Sequence, residues 1–174
     1  MGLVVNNLQI SPLTADDAEA IYLCMQDKEI ADNTLRIPYP YTRQNAIAWL
    51  EDNTIFEEEN HRHKHFAIRN VEGKLMGSIG CHFNYGMDAD RSEFGYWLGK
   101  AYWNQGITTE AIKRFCVIAS DYYDFKTLEA HVFDFNIASQ KALLKAGFTF
   151  AEKLKNYLTK NGLKIDAMKY VKDV

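Results

Sequence analysis

The stretch from Glu93 to Glu110, EFGYWLGKAYWNQGITTE, changes its hydrophobic period part-way along, and no other part of the chain constrains the fold as tightly. Phe94, Tyr96 and Leu98 alternate with Glu93, Gly95 and Trp97, the period of a strand, and aromatic residues favour strands. Further on, Ile107, Ala111, Ile112, Phe115, Ile118, Ala119 and Tyr122 recur at helical spacing. Between the two lies Asn104-Gln105-Gly106-Ile107-Thr108-Thr109. The pattern predicts a strand, a tight turn and a helix whose first backbone N–H groups have no partner. Such a helix start carries partial positive charge and suits a phosphate or pyrophosphate. Gly106 lets a phosphate approach the backbone, and Thr108 and Thr109 add hydroxyl donors. No Gly-Lys-Ser/Thr and no G-x-G-x-x-G occurs, so the turn is neither a Walker loop nor a dinucleotide fingerprint. Taken alone it is also consistent with a plain connection.

The 174 residues predict one domain spanning 1–174, large enough to bury its own core. A net charge of −3 argues against a nucleic-acid partner. Cys24, Cys81 and Cys116 are far apart with no C-x-x-C, the usage of reduced, buried thiols in a cytoplasmic protein. There is no apolar run long enough for a membrane span or a signal peptide, and Met1-Gly2 lacks the Ser or Thr of a myristoylation signal at position 6.

In chain order, Leu8 to Leu13 reads as a strand, and Thr14 or Asp16 as the cap of a helix to about Gln26. Two prolines make Leu35 to Tyr41 a loop, after which Thr42 caps a helix carrying Ala46, Ile47, Trp49 and Leu50. Lys64 to Arg69 and Lys74 to Phe83 are strands, and Asn84 to Ser92 is a hairpin loop leading into the Glu93 strand. After the Gly106 helix come a strand around Leu128 to Phe133 and a helix from Asn136 to Ala146 that stops at Gly147. Two strands follow, Phe148 to Leu158 and Leu163 to Val171, around an Asn161-Gly162 turn. This order predicts an α+β fold: a mixed, mostly antiparallel central sheet of about seven strands flanked by about four helices. The junctions near Gly106 and Asn136 are expected side by side at one edge of the sheet, a usual place for ligands.

YWLGKAYWNQGITTEA, followed downstream by FNIASQKALLKAGF, resembles the GNAT superfamily of acyl-CoA-dependent N-acetyltransferases, in the branch of the ribosomal-protein alanine N-acetyltransferases. The likeness covers nearly the whole chain. It implies acetyl-CoA as cosubstrate with no metal, a pyrophosphate cradled by Gln105, Gly106, Ile107, Thr108 and Thr109, and a pantetheine arm along Trp97, Leu98 and Gly99. It further implies that Asn136 contacts the cofactor arm and that Ser139 sits near the thioester sulfur. The chain departs from the family turn, R/Q-x-x-G-x-G/A, with Trp103 in place of Arg or Gln and Thr108 in place of the last small residue. Phe135 stands where a proline-containing pair is common.

The chemistry so implied is direct attack of an amine on a thioester. The amine must shed its proton, the oxyanion needs donors, and the thiolate needs a hydrogen bond. Glu93, a carboxylate on the face opposite Phe94, is the candidate base, directly or through water, and equally a residue that orients the substrate. Backbone N–H groups of Trp97 or Leu98 are candidate oxyanion donors, and Ser139 is the candidate donor to sulfur. Tyr39, Tyr41 and Trp49 either wall the acceptor pocket or pack the core. His61, His63 and His65 form H-x-H-x-H, but the flanking Arg62 and Lys64 and the Glu57-Glu58-Glu59 run read as a solvated segment rather than a metal site. Asp88 and Asp90 lie in a loop too short for calcium. The expected acceptor is a protein N-terminus or a small amine such as a polyamine or amino sugar, and the expected state a monomer or homodimer. The competing expectation is a CoA-binding module without turnover. A flavin- or nucleotide-binding α/β protein is disfavoured by the meander from Lys64 to Leu98.

Overall fold

Among the described residues, seven strands form one sheet in the order β1-β2-β3-β4-β5-β7-β6. They are β1 (Gln9–Pro12), β2 (His65–Arg69), β3 (Leu75–His82), β4 (Arg91–Leu98), β5 (Thr127–Phe133), β6 (Thr149–Lys160) and β7 (Leu163–Asp173). The structure is a computed structural model and describes residues 7–83 and 90–174. Most of the loop expected at Asn84 to Ser92, with Asp88, lies outside the described residues, as do Met1 and Gly2. Among the described residues five α-helices flank the sheet, one more than expected: α1 (Ala18–Cys24), α2 (Lys28–Asp32), α3 (Arg43–Asn60), α4 (Ile107–Tyr123) and α5 (Ile137–Lys145). The helix expected up to about Gln26 ends at Cys24, and the extra helix, α2, lies beyond it in a stretch for which no element is expected. Thr14 and Asp17 form a reciprocal cap on a short 3₁₀ turn, α1 follows, and Asp27 caps a separate α2 through the Glu29 amide.

Two cores lie on opposite faces of the sheet. On one, α4 buries Ile107, Ala111, Ile112, Phe115, Cys116, Ala119 and Tyr123 against Phe94 and Leu98. Each large side chain among them contributes roughly 2 kcal/mol by leaving water. The helix turns slightly further than the sequence stripe implied, so Tyr123 is buried while Tyr122 stays 42% exposed. On the other face α1, α2 and α3 cover Ala67 and Leu75 through Ile21, Ile30, Ala46 and Leu50, with Trp97 packed alongside. Strand β3 is therefore buried along nearly its whole length, and its alternation does not separate core from solvent.

Every strand pairing is antiparallel except that of β4 with β5. That parallel pairing runs only from Arg91 opposite Thr127 to Glu93 opposite Glu129. A clamp holds its closed end: the buried Glu129 carboxylate takes Arg91 Nη1 at 2.7 Å and Lys169 Nζ at 3.0 Å, joining β4, β5 and β7. Beyond Glu93, β4 stays paired with β3 and β5 with β7, so the two central strands part.

Candidate active site

The parting of β4 and β5 opens a cleft of about 890 Å³, lined from Gly106 through Tyr96 and Ser139 to His65 and Trp49. Strand alternation decides which backbone groups face it. The Gly99 N–H donates to Met76 O, toward β3, so the N–H of Trp97, two residues earlier, also points to β3, where Trp97 lies opposite Ser78. Tyr96 and Leu98 then turn their N–H groups the other way, into the cleft. The Leu98 carbonyl points outward too and accepts from Trp103 Nε1 at 2.7 Å. Of the two amides expected as oxyanion donors, only that of Leu98 is suitably placed. Gly99 is not among the lining residues and is packed under Cys24.

At one end, a 3₁₀ turn (Lys100–Tyr102) carries the chain from β4 to Gly106. Gly106 has φ +78°, a left-handed conformation that glycine adopts without strain, and it begins α4 with no side-chain cap. The amides of Ile107, Thr108 and Thr109 thus open into the cleft at the positive end of a long helix. Gln105 turns its amide back onto Ala101 O at 2.9 Å. Lys141 and Lys145, one turn apart on α5, line this same cleft and were not foreseen. Their i, i+4 spacing after Asn136 was the available signal. Asn136 caps α5 by accepting from the Ser139 N–H at 3.1 Å, and its own amide reaches Asn33 O at 3.3 Å.

Midway, Tyr96 Oη and Ser139 Oγ are 2.7 Å apart, tying α5 to β4 where β5 has left it. Burial pushes the Tyr96 phenol up, so it keeps its proton. Sequence periodicity assigned Tyr96 only to the core face, and its hydroxyl partner became visible only in three dimensions.

At the other end Glu93 stands between two imidazoles, with His131 Nδ1 at 3.3 Å and His82 Nδ1 at 3.8 Å from its Oε1. Burial alone would raise this carboxyl, but the His131 and His82 rings outweigh it and hold the group at about 2. His65 lies beyond, its Nδ1 2.8 Å from Asn53 Oδ1. The Asn53 amide nitrogen donates to Trp49 O, so its oxygen must accept from His65, leaving the His65 Nε2 lone pair free. Burial, helped by His82, Lys64 and Arg36, lowers His65 to about 3 and keeps it neutral. The three histidines of H-x-H-x-H diverge: His61 ends α3 in a left-handed conformation, His63 meets Glu57 at 2.9 Å, and only His65 enters the cleft. Tyr41 and Trp49 line the cleft near His65, whereas Tyr39 is not among the lining residues and is half exposed.

Asn33 to Pro38 form the outer lip of this end. Lys160, from the β6–β7 hairpin, donates to the carbonyls of Ala31 (2.6 Å), Ile37 (3.2 Å) and Thr34, fastening the lip to the sheet. K160M removes a charged donor from three carbonyls. It is expected to lower stability by about 2 kcal/mol in denaturant titration and to raise KM for the acceptor more than for the donor.

A family model described as an acetyltransferase (GNAT) domain matches residues 7–149. The chain belongs to the GNAT acetyltransferase family. This GNAT protein is 26% identical over 168 residues to the uncharacterized N-acetyltransferase YoaA of Bacillus subtilis (strain 168), covering 97% of this chain and 94% of that one. Among solved structures it superposes on the microcin C7 self-immunity acetyltransferase MccE in complex with acetyl-CoA and AMP. The TM-score is 0.84 at 21% identity, over 97% of this chain and 93% of that one. It superposes equally well on RimL, a ribosomal L7/L12 α-N-protein acetyltransferase in complex with coenzyme A, with a TM-score of 0.84 at 15% identity over 97% and 94% of the two chains. At these identities the superpositions establish the fold. No helix among the described residues is long and apolar enough to cross a membrane.

Proposed function

We propose that this GNAT acetyltransferase transfers the acetyl group of acetyl-CoA to a primary amine, either a peptide N-terminus or a small molecule, as a single cytoplasmic domain. The observation that carries this reading is the cleft joining an open helix start at Gly106 to a carboxylate at Glu93 through the exposed edge of β4. The acetyl-CoA complex of MccE and the coenzyme A complex of RimL, on the same fold, support the choice of donor.

Bound there, the diphosphate of the cosubstrate would meet the amides of Ile107, Thr108 and Thr109 and the hydroxyls of the two threonines, with Lys141 and Lys145 adding positive charge. Trp97, Leu98 and Asn136 border the path of the pantetheine arm. The Leu98 N–H faces the position of the thioester oxygen and stabilises the charge that develops there. Glu93 draws the ammonium form of the acceptor inward and supports its deprotonation. The amine lone pair forms the new C–N bond, the C–S bond breaks, and the sulfur takes up a proton at Ser139, whose hydroxyl Tyr96 orients.

Thiol release from acetyl-CoA, measured over a panel of amines and an N-terminal peptide library, tests this proposal. Amine-dependent release is expected. Tight CoA binding with no release for any amine would instead mark a binding module. S139A is expected to lower kcat about 10-fold with little change in KM for acetyl-CoA. Y96F should lose less, because the serine hydroxyl remains.

A further inference from the structure

The carboxylate of Glu93 poses a chemical difficulty. Two imidazoles keep it ionised far below neutral pH, so it is a poor acceptor for the proton of an alkylammonium ion. What the carboxylate can do well is orient a neighbouring imidazole and stabilise its charged form. The two rings beside it are not equivalent. His82 lies flat against β4 where Gly95 has no side chain: a Cβ at Gly95 would come within 2.9 Å of His82 Cε1 and Nε2. The ring edge that carries Nε2 thus rests beside the Gly95 backbone, although the His82 side chain stays 20% exposed. His131 is closer to Glu93, at 3.3 Å against 3.8 Å, and it packs one face on Tyr157 with ring centroids 5.1 Å apart. Its Nδ1, like that of His82, is buried with no well-aligned hydrogen bond, and the carboxylate is the anion beside both. A proton on Nδ1 facing Glu93 leaves the Nε2 lone pair for chemistry. His131 also lies on β5, the strand that leads directly into Asn136 and Ser139.

We propose that His131 Nε2 accepts the proton of the incoming ammonium, with Glu93 acting as the residue that positions and charge-balances the ring. This deepens the amine-acetylation function and rests on it. The alkylammonium gives one proton to His131, and the freed lone pair attacks the thioester carbon. The nitrogen's second proton ends on the departing sulfur beside Ser139, and His131 later returns its proton to solvent. The titratable groups facing this ring from other elements are Glu93, which is ionised, and His82. Its strand partner Lys169 is occupied by Glu129, which Arg91 also holds. The phenol of Tyr157 is a further titratable neighbour.

The test compares wild type, H131Q and H82Q in thiol release from pH 6.5 to 9.5, using the best amine of the panel. H131Q should lose about 30-fold in kcat/KM for the amine at pH 6.5 and recover to within about 5-fold at pH 9.5, where the free amine no longer needs a base. Its affinity for acetyl-CoA should be unchanged. H82Q should lose less and keep the wild-type pH profile. A pH-independent loss in H131Q, a loss below about 3-fold, or the pH signature appearing in H82Q instead, overturns the assignment. A ¹⁵N NMR measurement on the unmutated protein needs no variant to fold: a proton on His131 Nδ1 and a bare Nε2 at pH 8 are expected, and the opposite tautomer overturns the role. If wild type binds acetyl-CoA but acetylates no amine, the amine-acetylation function fails and this role with it. If wild type turns over and H131Q matches it, only the His131 assignment fails.

Discussion

G106E is expected to weaken acetyl-CoA binding by on the order of 100-fold or more while leaving the fold intact. The wild-type site at this point is backbone only: Gly106 in a left-handed conformation, no side-chain cap, and three helix-start amides open to the cleft. A glutamate there adds two effects of the same sign. Its carboxylate repels a diphosphate and competes for the same amides, and its Cβ strains a backbone with positive φ by about 1 kcal/mol. G106A separates the two, since it carries the strain without the charge and should lose only about 5-fold. Titration calorimetry with acetyl-CoA, alongside thermal melts, provides the check. An unchanged affinity in G106E would remove the helix start from the site.

E93Q is expected to lower kcat about 100-fold near pH 7, and more at lower pH. The glutamine keeps the shape of the side chain but cannot balance charge on His131 or attract an ammonium ion. The carboxyl titrates at about 2, so ionisation of Glu93 itself should give no limb in the pH–rate profile of the wild type over the working range. The same depression has a consequence for stability. The folded-state value of about 2 lies below the ordinary 4.5, so the group's contribution is complete above pH 4.5 and is lost as pH falls toward 2. The stability advantage of wild type over E93Q should therefore shrink across that window in acid unfolding followed by circular dichroism. An advantage that stays constant down to pH 2 would show that the histidine contacts do not hold the carboxylate ionised.

The parts of this architecture written in local chemistry were legible from the residues. The switch of period at Gly106, the cap at Thr42 and the Asn161-Gly162 turn are each set by groups within a few positions of one another. Helix α2 was missed because its five residues, Lys28–Asp32, are too few for an apolar stripe to repeat, although Asp27 was available as a cap. Tyr122 was taken for Tyr123 because a small error in helical phase, carried over four turns, moves the buried stripe by one residue.

The site was less legible for a different reason. His82 and His131 were visible as members of alternating strands, but nothing local says that three strands bring them onto one carboxylate. That requires the register His82 opposite Glu93 and Glu93 opposite Glu129, which depends on tertiary pairing. The same holds for Tyr96 and Ser139, 43 positions apart and joined only because β4 and β5 part company. That Leu98 rather than Trp97 turns its N–H into the cleft likewise needed the direction of one hydrogen bond, from Gly99 N–H to Met76 O.

Amide hydrogen exchange with and without coenzyme A addresses the central claim most directly. Ligand seated in the parted strands should slow exchange at Ile107, Thr108 and Thr109 together with Leu98, and leave the exposed strand β6 unchanged. If coenzyme A binds and those four amides exchange as before, the cleft between β4 and β5 is not where the acyl donor lies.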